Sequence, residues 1–472
     1  MFEVPVGPRP TDDFATIVAD HDLARYRRLV TTVRDRLDGR RLWHINSTPD
    51  GGGVAEVLRS VLGYLRHDGI EVGWLVMEGD PGFFDITKRI HNRLHGELGD
   101  GGALGDLEAE HYGRVTRWNL EAITDLVRPG DVVVVHDPQP LGLVPGLDAH
   151  GATAVWTCHV GVDVPNDLCR SAWNFLRPGL DGARAVTFTR RAYVWEGLNR
   201  VRVELIPPCI DAFSLKNTEL SPASREAIMG AAAVVEPSAA IEDEPTFARG
   251  DGSTGHVART ARIVQDEPVP AGAPLIVQVS RWDALKDPLG VIEGFAGEQR
   301  LVDAHLMLAG PAPSSVADDP EALEVLDTVE QAWERLHDDI RARVHLANLP
   351  TEDVEENAVI VNALQRRADV VVQKSLAEGF GLTVTEAMWK RRPMVASRVG
   401  GIQDQIDDGE HGLLVDPRNL GAFGHALVQV LADPGTANRL ADAAHDRVRS
   451  RYLAPHYLAN YHELIAELDA EP

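Results

Sequence analysis

The chain has 472 residues, of which 44% are hydrophobic and 25% are charged, a composition typical of globular proteins and not of disordered ones. Its formal net charge of -26 disfavours general binding to nucleic acid or to an anionic membrane, but it does not exclude an anionic ligand. The three cysteines form no CxxC pair, which disfavours a disulfide framework or a zinc site. With no signal sequence and no apolar run of about 18 residues, the sequence predicts a cytoplasmic protein.

Strand and helix patterns alternate through the first part of the chain. A helical pattern at 12–40 leads to a strand-like run at 41–46, which the loop 47–53 joins to an apolar helical pattern at 54–69. Further strand-like runs lie at 70–79, 131–140, 152–163 and 183–189. This alternation predicts a parallel sheet with helices on both faces.

Residues 218–270 interrupt the alternation and are rich in Ala, Pro, Gly and acidic residues. That composition predicts a mobile linker or insertion holding one short helix. Afterwards a helix is predicted at 382–391, between strand-like runs at 274–283, 305–311, 343–349, 368–375 and 392–401. The expected fold class is α/β, with two doubly wound parallel sheets. Ligands of such sheets bind at the carboxyl ends of the strands, here in a cleft between two domains.

A glycine run, Gly51-Gly52-Gly53, lies between a predicted strand and a predicted helix. Without a Cβ atom, its backbone can approach a ligand closely and offer N–H groups at a helix N-terminus, where anions bind well. A tight turn explains the same residues equally well. The loop matches neither GxGxxG nor the P-loop pattern, which disfavours NAD or ATP binding of those kinds.

Two cations and two carboxylates in the second half are candidate ligand contacts. Arg281 and Lys286 follow a strand and lie five residues apart, which suits a diphosphate, although two solvated surface cations would look the same. Glu378 and Glu386 lie eight residues apart around the turn EGFG, with the second in a helix. Both could accept hydrogen bonds from sugar and ribose hydroxyls. The alternative is a helix-start carboxylate, favoured by the helix dipole, and a surface glutamate.

Polar residues also end two of the N-terminal strands. His136 and Asp137 follow one strand, and His159 follows the next. The strand-end position favours a ligand contact, whereas a single histidine is as often structural. No HExxH pattern or other carboxylate–histidine spacing indicates a metal, so we expect no metal site.

The Gly-rich loop, the R-x4-K pair and the E-x7-E stretch occur in the order found in family 4 of the retaining glycosyltransferases, which the chain resembles over nearly its whole length. Within that family it is similar to the glycosyltransferring trehalose synthases and to the retaining trehalose phosphorylases. The stretches that carry the similarity are LWHINSTPDGGGVAEVL, MEGDPGFFDITKRIHNRLHG, VHDPQP, VQVSRWDALKDP and EGFGLTVTEAMWK. Residues 218–270 depart from the pattern and resemble an insertion.

The resemblance implies the GT-B fold, in which two Rossmann-like domains face each other across a cleft. Residues 1–217 would form the acceptor-side domain, and residues 271–439 would bind the nucleotide sugar. Residues 218–270 would be the linker or insertion between them. A C-terminal helix within 440–472 would cross back to the first domain.

The resemblance also implies roles for the C-terminal residues. Arg281 and Lys286 would hold the donor phosphates and stabilise the charge of the leaving group. Glu386 would bind the ribose, and Glu378 would bind the transferred glucose. Neighbours of Glu378 would complete the donor site, namely Gly379, Phe380, Gly381 and Leu382.

In the N-terminal half, the resemblance implies that His159 contacts the donor sugar near its 6-hydroxyl. Gly52 and Gly53 would approach the donor phosphates. The candidates for binding the acceptor are Asn46, Asp137 and Gln139.

The implied reaction moves glucose from a nucleoside-diphosphate glucose to a second glucose, reversibly and with retention, to form trehalose. The leaving phosphate would take the proton of the incoming hydroxyl on the same face, without metal or cofactor. A trehalose phosphorylase is the nearest alternative, followed by a silent sugar- or nucleotide-binding protein and a dinucleotide oxidoreductase. The nucleotide and the direction in the cell stay open, and a homodimer is compatible with the resemblance.

Overall fold

The computed structural model of the chain describes most of its residues, namely 1–49, 52–235, 243–312 and 321–468. Two sequence predictions fall partly outside the described residues: Gly51 of the glycine run and residues 236–242 of the expected linker. The chain divides into two compact units. Unit 1 comprises Met1–Asp211 and Ser450–Pro472, and unit 2 comprises Ala212–Arg449.

The described chain alternates short strands with helices, as its hydrophobic pattern predicts. The strands are β1 (Phe2–Glu3), β2 (Leu42–Asn46), β3 (Val72–Val76), β4 (Val132–His136), β5 (Thr153–Cys158), β6 (Ala185–Phe188), β7 (Arg202–Leu205), β8 (Thr246–Ala248), β9 (Thr254–His256), β10 (Arg262–Val264), β11 (Leu275–Val279), β12 (His305–Pro311), β13 (Val344–Leu349), β14 (Val370–Gln373), β15 (Met394–Ser397) and β16 (Leu413–Val415).

The helices lie between these strands, and none of the described ones has the length and apolarity needed to cross a membrane. They are α1 (Phe14–Ile17), α2 (Asp20–Arg36), α3 (Gly53–His67), α4 (Pro81–Leu94), α5 (Asp106–Ile123), α6 (Val144–Ala149), α7 (Asp167–Leu176), α8 (Pro222–Ala231), α9 (Pro288–Ala296), α10 (Ala322–Glu334), α11 (Asp338–Arg341), α12 (Val354–Arg367), α13 (Leu382–Trp389), α14 (Ile402–Gln405), α15 (Leu420–Ala432), α16 (Pro434–Arg451) and α17 (Ala454–Leu468). Single 3-10 turns lie at Leu141–Leu143, Arg177–Leu180, Arg191–Tyr193 and Ala284–Lys286.

The sheet of unit 1 has seven strands in the order β1-β3-β2-β4-β5-β6-β7. All neighbours are parallel except β1, which runs antiparallel to β3 at the edge. The strands β2, β3 and β4 are buried along their full length, as expected for a sheet with helices on both faces. The strand order reverses between β2 and β4. The carboxyl ends of these two strands therefore form the switch point at which open α/β sheets bind ligands.

The sheet of unit 2 also has seven strands, in the order β10-β13-β12-β11-β14-β15-β16. It is parallel except for β10, which runs antiparallel to β13 at the edge. The strand β11 pairs with β12 on one side and with β14 on the other, so the switch point lies between β11 and β14. The prediction of two doubly wound parallel sheets is confirmed, with one sheet in each unit.

The described part of segment 218–270 is more folded than its composition predicts. It contains the helix α8, the hairpin of β8 and β9, and the edge strand β10 of the unit 2 sheet. Arg249 anchors the hairpin, because its Nη2 lies 2.6 Å from Oδ2 of Asp353 and its Nη1 lies 2.9 Å from Oε2 of Glu355. The composition of the segment could not predict this contact. The partners of Arg249 are acidic residues at the start of α12, which is distant in the sequence.

The last helix, α17, belongs to unit 1, and the division between the units falls at Ser450. The N–H of Ile210 donates to the carbonyl of Tyr452 over 2.8 Å, where the chain re-enters this unit. The hydroxyls of Thr157 on β5 and Tyr461 on α17 lie 2.8 Å apart in the buried interior. The helix therefore forms part of the core of unit 1 and brings its own polar side chains into it.

His462 of α17 predicts how acid affects stability. The side chain is buried, and burial lowers its pKa from 6.5 to about 3. The unfolded chain takes up a proton there near the ordinary pKa, so the folded state loses stability as the pH falls from 6.5 towards 3. We expect the unfolding free energy of His462→Phe to fall about 2 kcal/mol less than that of the wild type between pH 7 and pH 5. Urea unfolding at both pH values measures this difference.

The control for this prediction is His21→Phe, because the His21 side chain is 83% exposed. It should keep the pH dependence of the wild type. Equal losses of stability in His462→Phe and in the wild type would contradict the assignment.

Candidate active site

The loops that follow β11 and β14 carry the predicted donor residues of unit 2. The first loop holds Arg281 and Lys286, and the second holds Glu378. Because β11 and β14 are neighbouring parallel strands, their carboxyl ends lie side by side at the switch point. A main-chain hydrogen bond joins the loops, since the N–H of Leu376 donates to the carbonyl of Leu285 over 2.8 Å.

Lys286 and Glu378 are in direct contact. The Nζ of Lys286 donates to Oε2 of Glu378 over 2.7 Å, and the hydroxyl of Ser375 donates to the same oxygen over 3.0 Å. The Lys286 side chain is 17% exposed and the Glu378 side chain 10% exposed. The structure thus brings one predicted cation and one predicted carboxylate together in a largely dry position, where charges interact more strongly than at the surface.

Arg281 lies on the same loop as Lys286 but is more exposed. Its Nη2 is 3.4 Å from Oδ2 of Asp283, and its side chain is 38% exposed. The other oxygen of Asp283 accepts the N–H of Leu285 over 2.7 Å and caps the turn that leads to Lys286. The contact is long and the guanidinium is partly exposed to solvent, so Arg281 can also meet an anionic ligand there.

The turn formed by Glu378, Gly379, Phe380 and Gly381 is held from outside by residues that sequence analysis missed. Gly381 has a φ of 89° and forms the N-cap of α13, which begins at Leu382. The N–H of Gly401 donates to the carbonyl of Glu378 over 3.2 Å, and the side-chain amide of Gln405 donates to the carbonyl of Phe380 over 2.6 Å. These bonds fix the direction of the Glu378 backbone.

Glu386 lies in the second turn of α13 and is buried, with 1% exposure. Its Oε1 is 3.4 Å from Nζ of Lys216. Glu386 is thus paired with Lys216 and Glu378 with Lys286, so the two predicted carboxylates have different lysine partners in unit 2. Lys216 was missed because it lies far away in the sequence, in no motif.

Lys374 is a further cation at the switch point of unit 2, and sequence analysis missed it. Its side chain is 1% exposed, and its Nζ contacts Oδ2 of Asp287. Asp287 has a φ of 51° and caps α9 by accepting the N–H of Gly290 over 3.1 Å. Since Asp287 directly follows Lys286, this buried ion pair fixes the end of the Lys286 loop. The Asp-Pro start of α9 was the available sequence signal.

In unit 1, the predicted residues lie at the carboxyl ends of β2, β4 and β5. Asp137 has a φ of 64°, and its Oδ1 accepts the N–H of His159 over 2.9 Å, so these two residues are brought together. The Asn46 side chain is engaged at both ends: it accepts from the Trp74 indole over 2.8 Å and donates to the Thr48 carbonyl over 2.7 Å. These bonds suit a residue that shapes the loop after β2.

The remaining predicted residues of unit 1 are Gln139 and two glycines. The Oε1 of Gln139 is buried and has no hydrogen-bond partner within the described part of the chain. Gly52 is the N-cap of α3, and Gly53 is its first residue; both are exposed. A Cβ atom added at Gly52 would meet no described atom within 4 Å. Packing therefore does not demand glycine at this position, whereas close approach of a ligand would.

Two further histidines, His136 and His44, continue inward from His159. The Nε2 of His159 lies 3.4 Å from Nδ1 of His136, and the Nε2 of His136 lies 2.9 Å from Nδ1 of His44. Burial lowers the pKa of His136 well below 6.5 and the pKa of His159 less, since the Asp137 carboxylate opposes the shift. Burial also raises the pKa of Asp137. The two histidines therefore favour their uncharged forms.

Comparison with known proteins finds two matching families and several relatives. The family described as Trehalose synthase, N-terminal domain, matches residues 44–195, and Glycosyl transferases group 1 matches residues 354–447. The trehalose synthase of Rubrobacter xylanophilus is 36% identical, over 94% of this chain and 97% of its own. The trehalose phosphorylase of Grifola frondosa is 23% identical, over 94% of this chain and 61% of its own.

The solved structure of an alpha,alpha-trehalose-phosphate synthase (UDP-forming) from Burkholderia vietnamiensis shares the fold, with a TM-score of 0.67 at 16% identity over 90% of this chain and 96% of that one. Fold and site together define a glycosyltransferase of the GT-B class, as the resemblance implied. The chain belongs to the trehalose synthase family, so it is a glycosyltransferase of trehalose metabolism.

The position of Gly401 predicts a steric test of the turn that carries Glu378. A Cβ atom added there would lie 2.6 Å from the Gly379 carbonyl oxygen and 2.6 Å from Phe380 Cα, both backbone atoms that cannot rotate away. We expect Gly401→Ala to lower the unfolding free energy by about 1–3 kcal/mol and to lower activity at least about tenfold, because the turn must shift. Urea unfolding and a glycosyltransfer assay measure the two effects.

Gly421 of α15 is the matched control. A Cβ atom there would meet only the Asn419 side-chain oxygen at 3.7 Å, an ordinary contact. Gly421→Ala should keep the stability and activity of the wild type. If Gly401→Ala behaves like Gly421→Ala, the turn is not held as described.

Proposed function

We propose that the protein is a retaining glucosyltransferase that moves glucose from a nucleoside-diphosphate glucose to glucose and forms trehalose in a reversible reaction. The observation that carries the proposal is the contact of Lys286 with Glu378 at the switch point of unit 2. A cation next to a carboxylate provides the two kinds of group that the phosphate and the hydroxyls of an activated sugar require. The trehalose synthase relative supports the sugar product.

In the proposed reaction, the bond between the anomeric carbon and the phosphate oxygen breaks as the acceptor hydroxyl attacks from the same face. The departing oxygen takes the proton of that hydroxyl, so the products are the nucleoside diphosphate and trehalose. Negative charge grows on the diphosphate as the bond lengthens. Lys286 and Arg281 lie on one loop and stabilise this charge, which is the large catalytic contribution in such a transfer.

Glu378 is proposed to accept hydrogen bonds from the transferred glucose, and the backbone from Gly379 to Leu382 completes that contact. The buried Glu386 is proposed to receive the ribose hydroxyls. Since Glu386 is paired with Lys216 in the structure, ribose would compete with or join that lysine. In unit 1, His159 is proposed to contact the donor sugar, and Gly52 and Gly53 the phosphates.

The acceptor is proposed to bind to unit 1 at Asn46, Asp137 and Gln139. Gln139 is the strongest of these, because its buried amide oxygen has no hydrogen-bond partner among the described residues and a sugar hydroxyl could donate to it. Asp137 and Asn46 would act by shaping the site, since their side chains already bond to the protein.

The reaction is proposed to need no metal and no cofactor, because Lys286 and Arg281 take the position at the diphosphate that a divalent ion would otherwise fill. Within the described ranges, one cluster has the ligand spacing of a metal site, formed by Asp407, Glu410 and His411. Arg447 contacts Asp407 there at 2.7 Å, and the cluster is not among the proposed site residues.

Trehalose phosphorylase is the second candidate, supported by the similarity to the Grifola frondosa protein. The protein should be incubated with trehalose and either a nucleoside diphosphate (ADP, UDP and GDP in turn) or inorganic phosphate, with and without EDTA. We expect a nucleotide glucose from at least one diphosphate, no glucose 1-phosphate from phosphate, and rates unchanged by EDTA. Glucose 1-phosphate as the sole product would overturn the transferase assignment. Loss of activity in EDTA, restored by one divalent ion, would overturn metal independence.

Lys286→Ala tests the role of the leaving-group cation. We expect kcat to fall at least about tenfold, because the charge on the departing diphosphate loses a fixed partner in a site that is only partly exposed to water. Steady-state kinetics with the preferred donor measure the change, and urea unfolding checks that the variant folds.

Arg300→Ala is the control for that variant, because the Arg300 side chain is 54% exposed and pairs with Glu298 outside the proposed site. It should keep the kcat of the wild type. A near-normal kcat for Lys286→Ala would remove the lysine from the mechanism.

A further inference from the structure

The three histidines come from three neighbouring strands of unit 1: His44 lies within β2, His136 ends β4, and His159 directly follows β5. Their rings stack nearly parallel, with centroids 5.2 Å apart at 21° for His44 and His136 and 5.7 Å apart at 4° for His136 and His159. The ring nitrogens that face each other are within contact distance at both steps. The histidines therefore form one continuous series, which we call the histidine chain, from the strand ends into the core.

Burial keeps the histidine chain uncharged. Burial lowers the pKa of His44 to about 3 and the pKa of His136 well below its ordinary value. A neutral imidazole has one N–H donor and one bare acceptor nitrogen. Both hydrogen bonds of the histidine chain must therefore have their N–H groups pointing in the same direction. The tautomer of each ring is set by its neighbour.

The inner end of the chain opens on a small cavity. His44, Tyr461 and His462 contribute the polar groups of its lining, and the other lining residues are aliphatic apart from Tyr457. The Nε2 of His44 and both ring nitrogens of His462 are buried and have no hydrogen-bond partner within the described residues.

The outer end of the chain decides its direction. The Nε2 of His159 faces His136, so Nδ1 is the ring nitrogen nearer to the His159 backbone N–H that Asp137 binds. The carboxylate of Asp137 accepts the backbone N–H of His159 over 2.9 Å and favours a hydrogen on the nearby ring. We propose that His136 and His44 are positioning residues that hold His159 in its Nδ1–H tautomer, through N–H groups directed from His44 to His136 and from His136 to His159.

If His159 contacts the substrate as proposed above, this arrangement makes it a hydrogen-bond donor through Nδ1, with its other nitrogen already engaged. That step rests on the proposed function, whereas the tautomer does not. The two can therefore be tested separately, by a spectroscopic readout and by kinetics.

Two substitutions of His136 test the direction of the hydrogen bonds in the histidine chain. Each one keeps an amide N–H at the position of only one of the two ring nitrogens. The amide nitrogen of asparagine can occupy the position of the histidine Nδ1, which faces His159. The amide nitrogen of glutamine can occupy the position of Nε2, which faces His44. We expect His136→Asn to keep His159 in the Nδ1–H form and His136→Gln to release it into a mixture of tautomers.

Long-range proton–nitrogen NMR spectra of the full chain, labelled with nitrogen-15 in histidine, report the tautomer directly. The His159 signals are identified by their loss in His159→Gln. His44→Phe should also release His159, and it serves if a His136 variant fails to fold. An Nε2–H tautomer of His159 in the wild type, or spectra of His159 that are the same in all variants, would overturn the proposal.

Unit 2 provides a matched control. His305 and His345 are a buried stacked pair with Nδ1 and Nε2 2.9 Å apart and centroids 5.2 Å apart at 20°. The variant His305→Phe removes the contact between these two histidines, which resembles a contact of the histidine chain. It should leave the tautomer of His159 unchanged. Any shift of His159 in that variant would show a general loss of structure and count against the assignment.

Kinetics then test the link to the proposed function. We expect kcat of His136→Gln to fall roughly tenfold relative to His136→Asn, in the range found for residues that orient a functional group through a hydrogen bond. If the tautomers change as expected while the two variants have equal kcat, the histidine chain acts on His159, but His159 is not part of the proposed transfer. If no glycosyl transfer is found in any variant, the proposed function fails and the spectroscopic result still stands.

Discussion

The ion pair of Lys286 and Glu378 is the interaction on which the candidate site of unit 2 depends. Each side chain is largely buried, so removal of one partner would leave the other charge poorly solvated, at a cost of about 3–5 kcal/mol in a fully buried case and less here. The two residues are 92 positions apart in sequence. Only the parallel pairing of β11 with β14 brings their loops to one edge of the sheet, and the main-chain bond between the loops keeps them there.

A ligand would enter this site by exchange. In the proposed reaction, the diphosphate replaces Glu378 as the partner of Lys286, and Glu378 in turn accepts hydroxyl groups of the sugar. The sugar hydroxyls then replace part of the hydrogen bonding that the Glu378 carboxylate loses, which lowers the cost of taking Lys286 away from it. The buried pair of Lys374 and Asp287 does not take part in this exchange. It fixes the end of the loop that carries Lys286, because Asp287 directly follows that lysine.

Most of the strands and the strand-end position of Lys286 and Glu378 could be predicted, because apolar runs and turn residues are local signals. Lys216 and Gln405 could not, since their contacts with the glutamate-bearing stretch depend on the order of strands and on helix packing, which no short pattern encodes. The strand β10 was missed for a related reason. It has three residues and exists through its pairing with β13, so its own sequence resembles a linker.

The two units differ in the charge of the groups at their switch points. In unit 2, Lys286 and Arg281 are cations held beside acids, an arrangement that suits a ligand with strong negative charge. In unit 1, burial lowers the pKa of His136 and of His159, so both imidazoles favour their uncharged forms. Uncharged donors and acceptors at fixed positions suit hydroxyl groups, whose discrimination rests on the direction of each hydrogen bond. In unit 2, charge would select the ligand. In unit 1, the orientation of the ring protons in the histidine chain would do so.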